Sequence, residues 1–304
     1  MYFLRRIAYA VPLLLVISLL AFVLVHLAPG GPFDTERKPA SPEIERNIQA
    51  KYHLDEPIWK QYCRYLNDLA HGDFGVSLKY LNHSVNDIIA QGLPVSMVLG
   101  GLAFCFAMGV GVPLGFFTAV QRGTWMDYTG SFLAILTVCI PSFVVAPVLI
   151  LAFAMKLRWF PVALWGSPWH MVLPSIALGL FFVGKVARIM HDGMLSAAQS
   201  EFITAARSKG LSETTLMLKH GLRIAVLPVV SYSGPMLADL LTGSFIVENI
   251  FQIPGVGVFL VNSSLNRDYT VVVGLSLLYA VLLIGLNLAV DFAYTLLDPR
   301  VKYE

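Results

Sequence analysis

Long uninterrupted apolar runs alternate along the chain with shorter polar segments, and the runs set the architecture. Six of them reach the roughly 20 residues that a helix needs to cross a hydrocarbon core about 30 Å thick. They cover residues 7–28, 92–120, 128–155, 159–184, 224–247 and 269–290. A single carboxylate, Asp239, stands inside them, with His26 and His170 placed where a polar tip reaches water at a helix end. The first run is too long for a signal-peptide core and lacks a small-residue cleavage site, so it reads as a retained helix. The expected fold is an all-α polytopic membrane protein with six transmembrane helices.

The polar segments divide this frame. Residues 1–28 carry the N-terminal tail and first helix, and 29–91 form a small segment on the opposite side. Residues 92–297 hold helices two to six with a polar connection around 196–223, and 298–304 are a tail. In the 29–91 segment, "APGGPFD" and "HGDFGVS" are turn clusters. Between them "SPEIERNIQAKYHLDEPIWKQYCRYLNDLA" reads as two short amphipathic helices broken at Pro57. Tyr62, Tyr65, Leu66 and Leu69 supply the 3–4 spacing of an apolar face. So short a segment builds only a small core and is expected to pack on the membrane domain.

Within the runs, Ala103, Ala107, Gly111 and Gly115 recur at every fourth position, a stripe that lets two helix backbones approach closely. Packing inside the chain and a subunit interface both fit it. Pro113, Pro141, Pro147, Pro161, Pro174, Pro228 and Pro235 lie in or at the ends of the runs and predict kinks.

Composition agrees with the pattern. The 304 residues are 57% hydrophobic and 13% charged, with a mean hydropathy of +0.70, against about 25% charged residues in a soluble domain. The net charge of +2 and the absence of a basic cluster argue against a nucleic-acid partner. Cys63, Cys105 and Cys139 are too scattered for a disulfide framework or a metal site, and the latter two are expected to be buried small hydrophobes. Lys and Arg placement orients the chain. Arg5 and Arg6 precede the first helix, and "QRGTWMD" falls on the same side. So do Lys185, Arg188, Arg207, Lys209, Lys219 and Arg223, and then Arg300 and Lys302. That side is the cytoplasm, with both termini there.

Enzyme motifs fail on inspection. "GLFFVGKV" at 179–186 has the glycines and lysine of a P-loop. Val186, however, replaces the magnesium-binding hydroxyl, and the segment ends an apolar helix. No H-E-x-x-H or G-x-S-x-G occurs. No catalytic, metal or cofactor residue is therefore expected in this chain. Asp239 is costly in a membrane, so it either lines a translocation path or pairs with a polar group on a neighbouring helix. Asn287 and Asp291, one turn apart, suggest a polar lining at the cytoplasmic mouth.

The charged stretch "EFITAARSKG", 201–210, stands between two apolar runs. "SAAQ" at 196–199 reads as a capping box, Ser196 with Gln199, opening a helix over about 197–209. Gly210 suits a left-handed stop, and Ser212 suits the cap of the next helix. Ala205 and Ala206 offer a shallow face, and Glu201, Arg207 and Lys209 a polar rim. The apolar face is too small for a membrane-surface helix, so the segment reads as a docking knob for another protein.

"TAARSKGL" followed by "KHGLRIAVLPVV" resembles the signature loop of bacterial ABC-importer permeases, in the form used by the peptide and nickel subfamily. Thr204 stands where the generic signature has Glu, and Leu227-Pro228 falls about five residues later than usual; both departures occur in the peptide branch. "VENIFQIPGVG", "LDPRVKY", "LAPGGPFD", "YHLDEP", "AHGDFGVS" and "NRDY" fit the same subfamily, the last stretches being most similar to oligopeptide permeases. The resemblance covers the whole chain and implies a type I ABC-importer permease fold in a bacterial inner membrane. It also implies a second homologous permease and two cytoplasmic ATPase subunits carrying ATP and Mg. An extracytoplasmic binding protein would deliver oligopeptide. The coupling role of the family's helix then falls on Thr204, Ala205, Ala206 and Gly210, with Glu201 and Arg207 as its rim. Dipeptides, antimicrobial peptides or a nickel chelate are the alternative cargoes. An intramembrane enzyme or an ion channel is the alternative class.

Overall fold

The computed structural model describes residues 2–27, 55–80, 83–242 and 245–297. Among these, every regular element is helical, apart from one isolated antiparallel bridge between Val76 and Ser84. The helices are α1 (Tyr2–Leu27), α2 (Ile58–Ala70), α3 (Val85–Val120), α4 (Trp125–Cys139) and α5 (Ser142–Leu149). They continue as α6 (Pro168–Ala198), α7 (Glu201–Ser208), α8 (Glu213–Thr215), α9 (Leu222–Thr242), α10 (Phe245–Ile250), α11 (Val256–Asn266) and α12 (Tyr269–Leu297). Short π-helical stretches, Ile150–Lys156 and Leu216–Gly221, follow α5 and α8. "APGGPFD", the first of the two short helices expected before Pro57, and "LDPRVKY" beyond Leu297 lie outside the described residues.

Five helices, α1, α3, α6, α9 and α12, carry stretches long and apolar enough to cross a membrane; the α4–α5 pair makes a sixth only if counted as one span. That pair corrects the straight span expected over 128–155, because it bends by 103°. The break sits where proline dictates. Pro141 has no N–H to continue the ladder and pushes Ile140 out of helical backbone, to φ −94° and ψ 116°. The run at 159–184 is also displaced: helix begins only at Pro168, placed at the first helical position after Ser167, and continues to Ala198. His170 completes the cap there, its Nδ1 lying 2.8 Å from Ser167 Oγ.

The chain folds as two compact units. One comprises Met1–Pro94 and Gly255–Ile284. Here α2 uses the face read from its spacing: Tyr62 Oη lies 2.8 Å from Ser18 Oγ of α1, and the Tyr62 and Tyr65 rings sit 5.3 and 6.2 Å from that of Phe22. His26, in the last turn of α1, stacks on Phe22 and reaches Gln61 of α2. A small apolar cluster of Val85, Ile88, Val256, Val271 and Leu275 forms the core. Asp268, fully buried, fastens the turn after α2 to the start of α12. It accepts from Ser77 Oγ and from the backbone N–H of Leu78 (3.1 Å), Lys79 (3.3 Å) and Val271 (3.4 Å).

The other unit, Val95–Pro254 with Gly285–Glu304, is built around α6. The small-residue stripe of α3 packs on it. Ala103 and Ala107 are fully buried, and a Cβ on Gly115 would fall 2.1 Å from the Ala187 carbonyl oxygen. The stripe therefore serves packing within the chain, as close backbone approach in lipid requires. Cys105 and Cys139, expected to be buried, are exposed: among the described residues neither helix position is closed over by packing. Buried Glu248 of α10 accepts from Ser96 Oγ of α3 at 2.7 Å. The loop after the π-helical Ile150–Lys156 is pinned by the Leu164 N–H donating to the Phe251 carbonyl.

Candidate functional site

The charged stretch at 201–210 is a helix, but it starts later than its sequence suggested. Ser196 caps nothing: its Oγ donates back to the Asp192 carbonyl at 2.9 Å, so α6 runs on through it to Ala198. A backbone stop at Gln199 follows, and Ser200 becomes the cap, its Oγ accepting from the Ile203 N–H. The result is α7, Glu201–Ser208, in place of a helix over 197–209.

Its far end matches expectation. Gly210 has φ +82°, the left-handed region that favours glycine, and its N–H donates to the Arg207 carbonyl at 3.0 Å. Ser212 then caps α8, accepting from the Thr215 N–H. Across this turn Arg207 and Glu213 form a two-point ion pair, Nε to Oε1 and Nη2 to Oε2, the latter at 3.2 Å. The guanidinium holds the Glu213 carboxyl below the usual carboxylate range, and Glu213 raises the Arg207 guanidinium in turn.

Burial sorts the residues of α7. Ile203 is wholly buried in the cluster that contains Met190, Met194, Met217 and Ala225, so α7 is nailed to α6 and to the segment leading into α9. Glu201, Thr204, Ala205, Arg207, Lys209 and Gly210 are exposed, and Ala206 is half-buried. Thr204 and Ala205 thus form an open face, with the charged rim beside it. One residue was overlooked in the sequence: Phe202 is 57% exposed, its ring edge-on to His220 at 5.6 Å. With Leu211 (41%) and Leu218 (51%) it adds large apolar surface to the knob. The available signal was a lone aromatic beside the small residues of a charged helix.

The residues proposed for a translocation path lie on α9 and α12. Asp239 stands exposed in α9, three residues before Thr242 and within the apolar stretch Glu213–Ile250. Asn287 is half-buried in α12, and no hydrogen bond joins the two. Asp291 belongs to α12, but its side chain is outside the described residues. The P-loop-like 179–186 is uninterrupted helix. Among the described residues, no group of three or more His, Cys, Asp or Glu is placed to hold a metal ion.

Comparison with known proteins bears on the whole chain. Residues 111–303 match the model of the binding-protein-dependent transport system inner membrane component, and residues 1–100 match that of its N-terminal part. The oligopeptide transport system permease protein OppB of Haemophilus influenzae is 44% identical, over 98% of both chains. That of Escherichia coli K12 is 45% identical over 99% of both. The dipeptide permease DppB of Bacillus subtilis is 42% identical over 99% of this chain and 97% of its own. Among solved structures, a chain of the MetNI methionine ABC transporter in an inward-facing conformation superposes with a TM-score of 0.59. It covers 69% of this chain and 96% of its own at 16% identity, a likeness of fold. A capped and pinned helix between two apolar spans, a type I importer fold and full-length matches at this level lead to one assignment. The chain belongs to the family of binding-protein-dependent transport system inner membrane components, the permease subunits of ABC importers.

Proposed function

We propose that this chain is a membrane subunit of an ATP-driven importer that carries oligopeptides across the bacterial inner membrane by alternating access. The observation that supports it most is α7, an exposed knob whose buried Ile203 ties it to the spans on both sides. In this reading α7 sits in a groove of an ATPase subunit, with Thr204, Ala205 and Phe202 against the groove and Glu201 and Arg207 at its rim. Closure of two such ATPases, which bind ATP and Mg, moves α7 as a rigid body, and the spans change which side is open. This chain supplies no hydrolytic group. A second, homologous permease completes the pathway, and an extracytoplasmic binding protein delivers peptide near residues 29–91. Both termini lie in the cytoplasm, with 92–297 as the permease core.

Identity to a dipeptide permease is nearly as high as to the oligopeptide ones, so dipeptide transport is the second reading. The deciding experiment places single cysteines at Phe202 and Ala205 in membranes and crosslinks them, with uptake of labelled di-, tri- and tetrapeptides measured in parallel. Capture of an ATPase together with tri- and tetrapeptide uptake is expected. No ATPase capture in any nucleotide state overturns the coupling role; uptake confined to dipeptides overturns the cargo.

A further inference from the structure

The exposed positions of α9 form one stripe. Ile224, Pro228, Ser231, Pro235 and Asp239 recur at intervals of three and four residues and so share one face of the helix. Ile224, near the start of α9, is the only large apolar side chain exposed on that helix among the described residues. A face suited to lipid looks different: α4 exposes Phe132 (63%), Leu133 (52%), Ile135 (56%) and Leu136 (40%).

Two further features of the stripe are incompatible with hydrocarbon. Pro228 and Pro235 have no N–H, so the carbonyls of Ile224 and Ser231 lose the donors expected four residues on. Carbonyls freed at membrane depth are tolerated where protein or water meets them. Asp239 lies within the apolar stretch Glu213–Ile250, is exposed, and has no ion pair or hydrogen bond among the described residues. A carboxylate so placed faces a water-filled cavity or a partner.

What meets this stripe must be electropositive. Its polar groups are one carboxylate, two freed carbonyls and the Ser231 hydroxyl, which already donates to the Leu227 carbonyl at 3.1 Å. No Lys, Arg or His occurs from Ile224 to Thr242. The stripe therefore accepts hydrogen bonds and positive charge, and it offers nothing to an anion. A permanent contact with another span would bury the acid, and interface cores are depleted of charge. A passing peptide brings its own cation, because every free amino end carries one ammonium whatever the sequence that follows.

We infer that this face of α9 is a wall of the translocation path, where Asp239 holds the amino-terminal ammonium of the peptide and the Ser231 carbonyl takes a backbone N–H. Eight residues of helix separate the two groups by about 12 Å, the length of roughly three or four extended peptide residues. The assignment rests on the importer reading above and deepens it.

The test uses the purified transporter complex without its binding protein, so that protein's own preference plays no part. Cys63, Cys105 and Cys139 are replaced by serine and Ser231→Cys is added, with tripeptide uptake by the same variant measured in membranes. In low salt, a cationic methanethiosulfonate should label the new thiol about threefold or more faster than an anionic one, a preference that Asp239→Asn removes. Trialanine should slow the labelling and N-acetyl-trialanine should not. Asp239→Glu should keep that protection and Asp239→Asn should lose it. No labelling in any nucleotide state, with uptake intact, overturns the inference alone, because lipid or the second permease then covers the face. Equal protection by the two peptides, or unchanged protection in Asp239→Asn, overturns the ammonium site. If Asp239→Asn does not purify as a complex, the comparison of the two peptides on the Asp239 chain decides. Absence of peptide uptake in the unaltered chain overturns the importer reading and this site with it.

Discussion

Replacing Gly210 separates two ways in which α7 can fail. At φ +82° an L-residue pays for the left-handed backbone by roughly 1–2 kcal/mol, more if β-branched. Yet a Cβ at Gly210 meets nothing within 4 Å, so no steric clash inside the chain adds to that cost. The whole effect of Gly210→Val then falls on the turn that sets the angle between α7 and α8, a shift of about 5–30-fold in the local equilibrium. Asn visits this region more readily, so Gly210→Asn should be mild. The assay is the initial rate of labelled-peptide uptake at matched membrane expression. Val should lower the rate at least fivefold, and Asn should stay within about twofold of wild type. Normal uptake with Val refutes the argument. Equal loss with Val and Asn refutes it differently, because bulk against a partner would then matter and backbone conformation would not.

Three more outcomes are expected. Gly115→Leu must push α3 off the Ala187 carbonyl and should cost about 1–3 kcal/mol of stability. It should lower the melting temperature in detergent, while Gly101→Leu, where a Cβ meets nothing within 4 Å, should not. Asp268→Ala removes the cap of α12 and strands the Leu78 N–H, a loss of about 0.5–2 kcal/mol for the cap alone; protease should then cut within 71–84 faster than elsewhere. Because Arg207 lowers the Glu213 carboxyl, its contribution is present above the unfolded carboxylate value and disappears as pH falls through the lower folded one. Amide exchange over 207–213 should be faster in Glu213→Gln than in wild type at neutral pH, and the difference should disappear only at pH below the ordinary glutamate value of about 4.3.

The sequence made the number and type of elements readable because apolar run length is a direct physical requirement of the bilayer. It also announced Gly210 and Ser212, where a single residue's backbone or hydroxyl decides the local structure. What it concealed were choices between near-equivalent residues. Ser196 and Ser200 both have cap chemistry, and only the continuation of α6 around Ser196, with its hydroxyl turned back to Asp192, decides for Ser200. Seven prolines predicted kinks without ranking them; the large bend falls at Pro141, where Ile140 takes extended backbone, while Pro147 and Pro174 remain inside helices. Buried Glu248 and Asp268 lay within quoted motifs but could not be singled out, because their partners Ser96 and Ser77 are far away in sequence. The exposed Cys105 and Cys139 show the reverse limit: in lipid, an apolar residue need not be inside the protein.

A knob can transmit displacement only if it is stiffer than what it pushes. α7 meets that condition on both flanks. Upstream, only Gln199 and Ser200 separate it from α6, and each donates its N–H back to a carbonyl of that helix's last turn. Downstream, the Arg207–Glu213 pair and the Ser212 cap close the turn within a few residues, and buried Leu216 and Met217 start the run into α9. Ile203 joins the core that holds Met190 and Met194 of α6 and Ala225 of α9. By contrast the α4–α5 connection has no helical continuity at Ile140, so it deforms more easily. Force applied at Ala205 therefore reaches α6 and α9 together. A mutation that loosens Ile203, such as Ile203→Ala, should uncouple ATP hydrolysis from uptake before it unfolds the spans, and loss of hydrolysis and uptake in equal measure would show that α7 is not the stiff link.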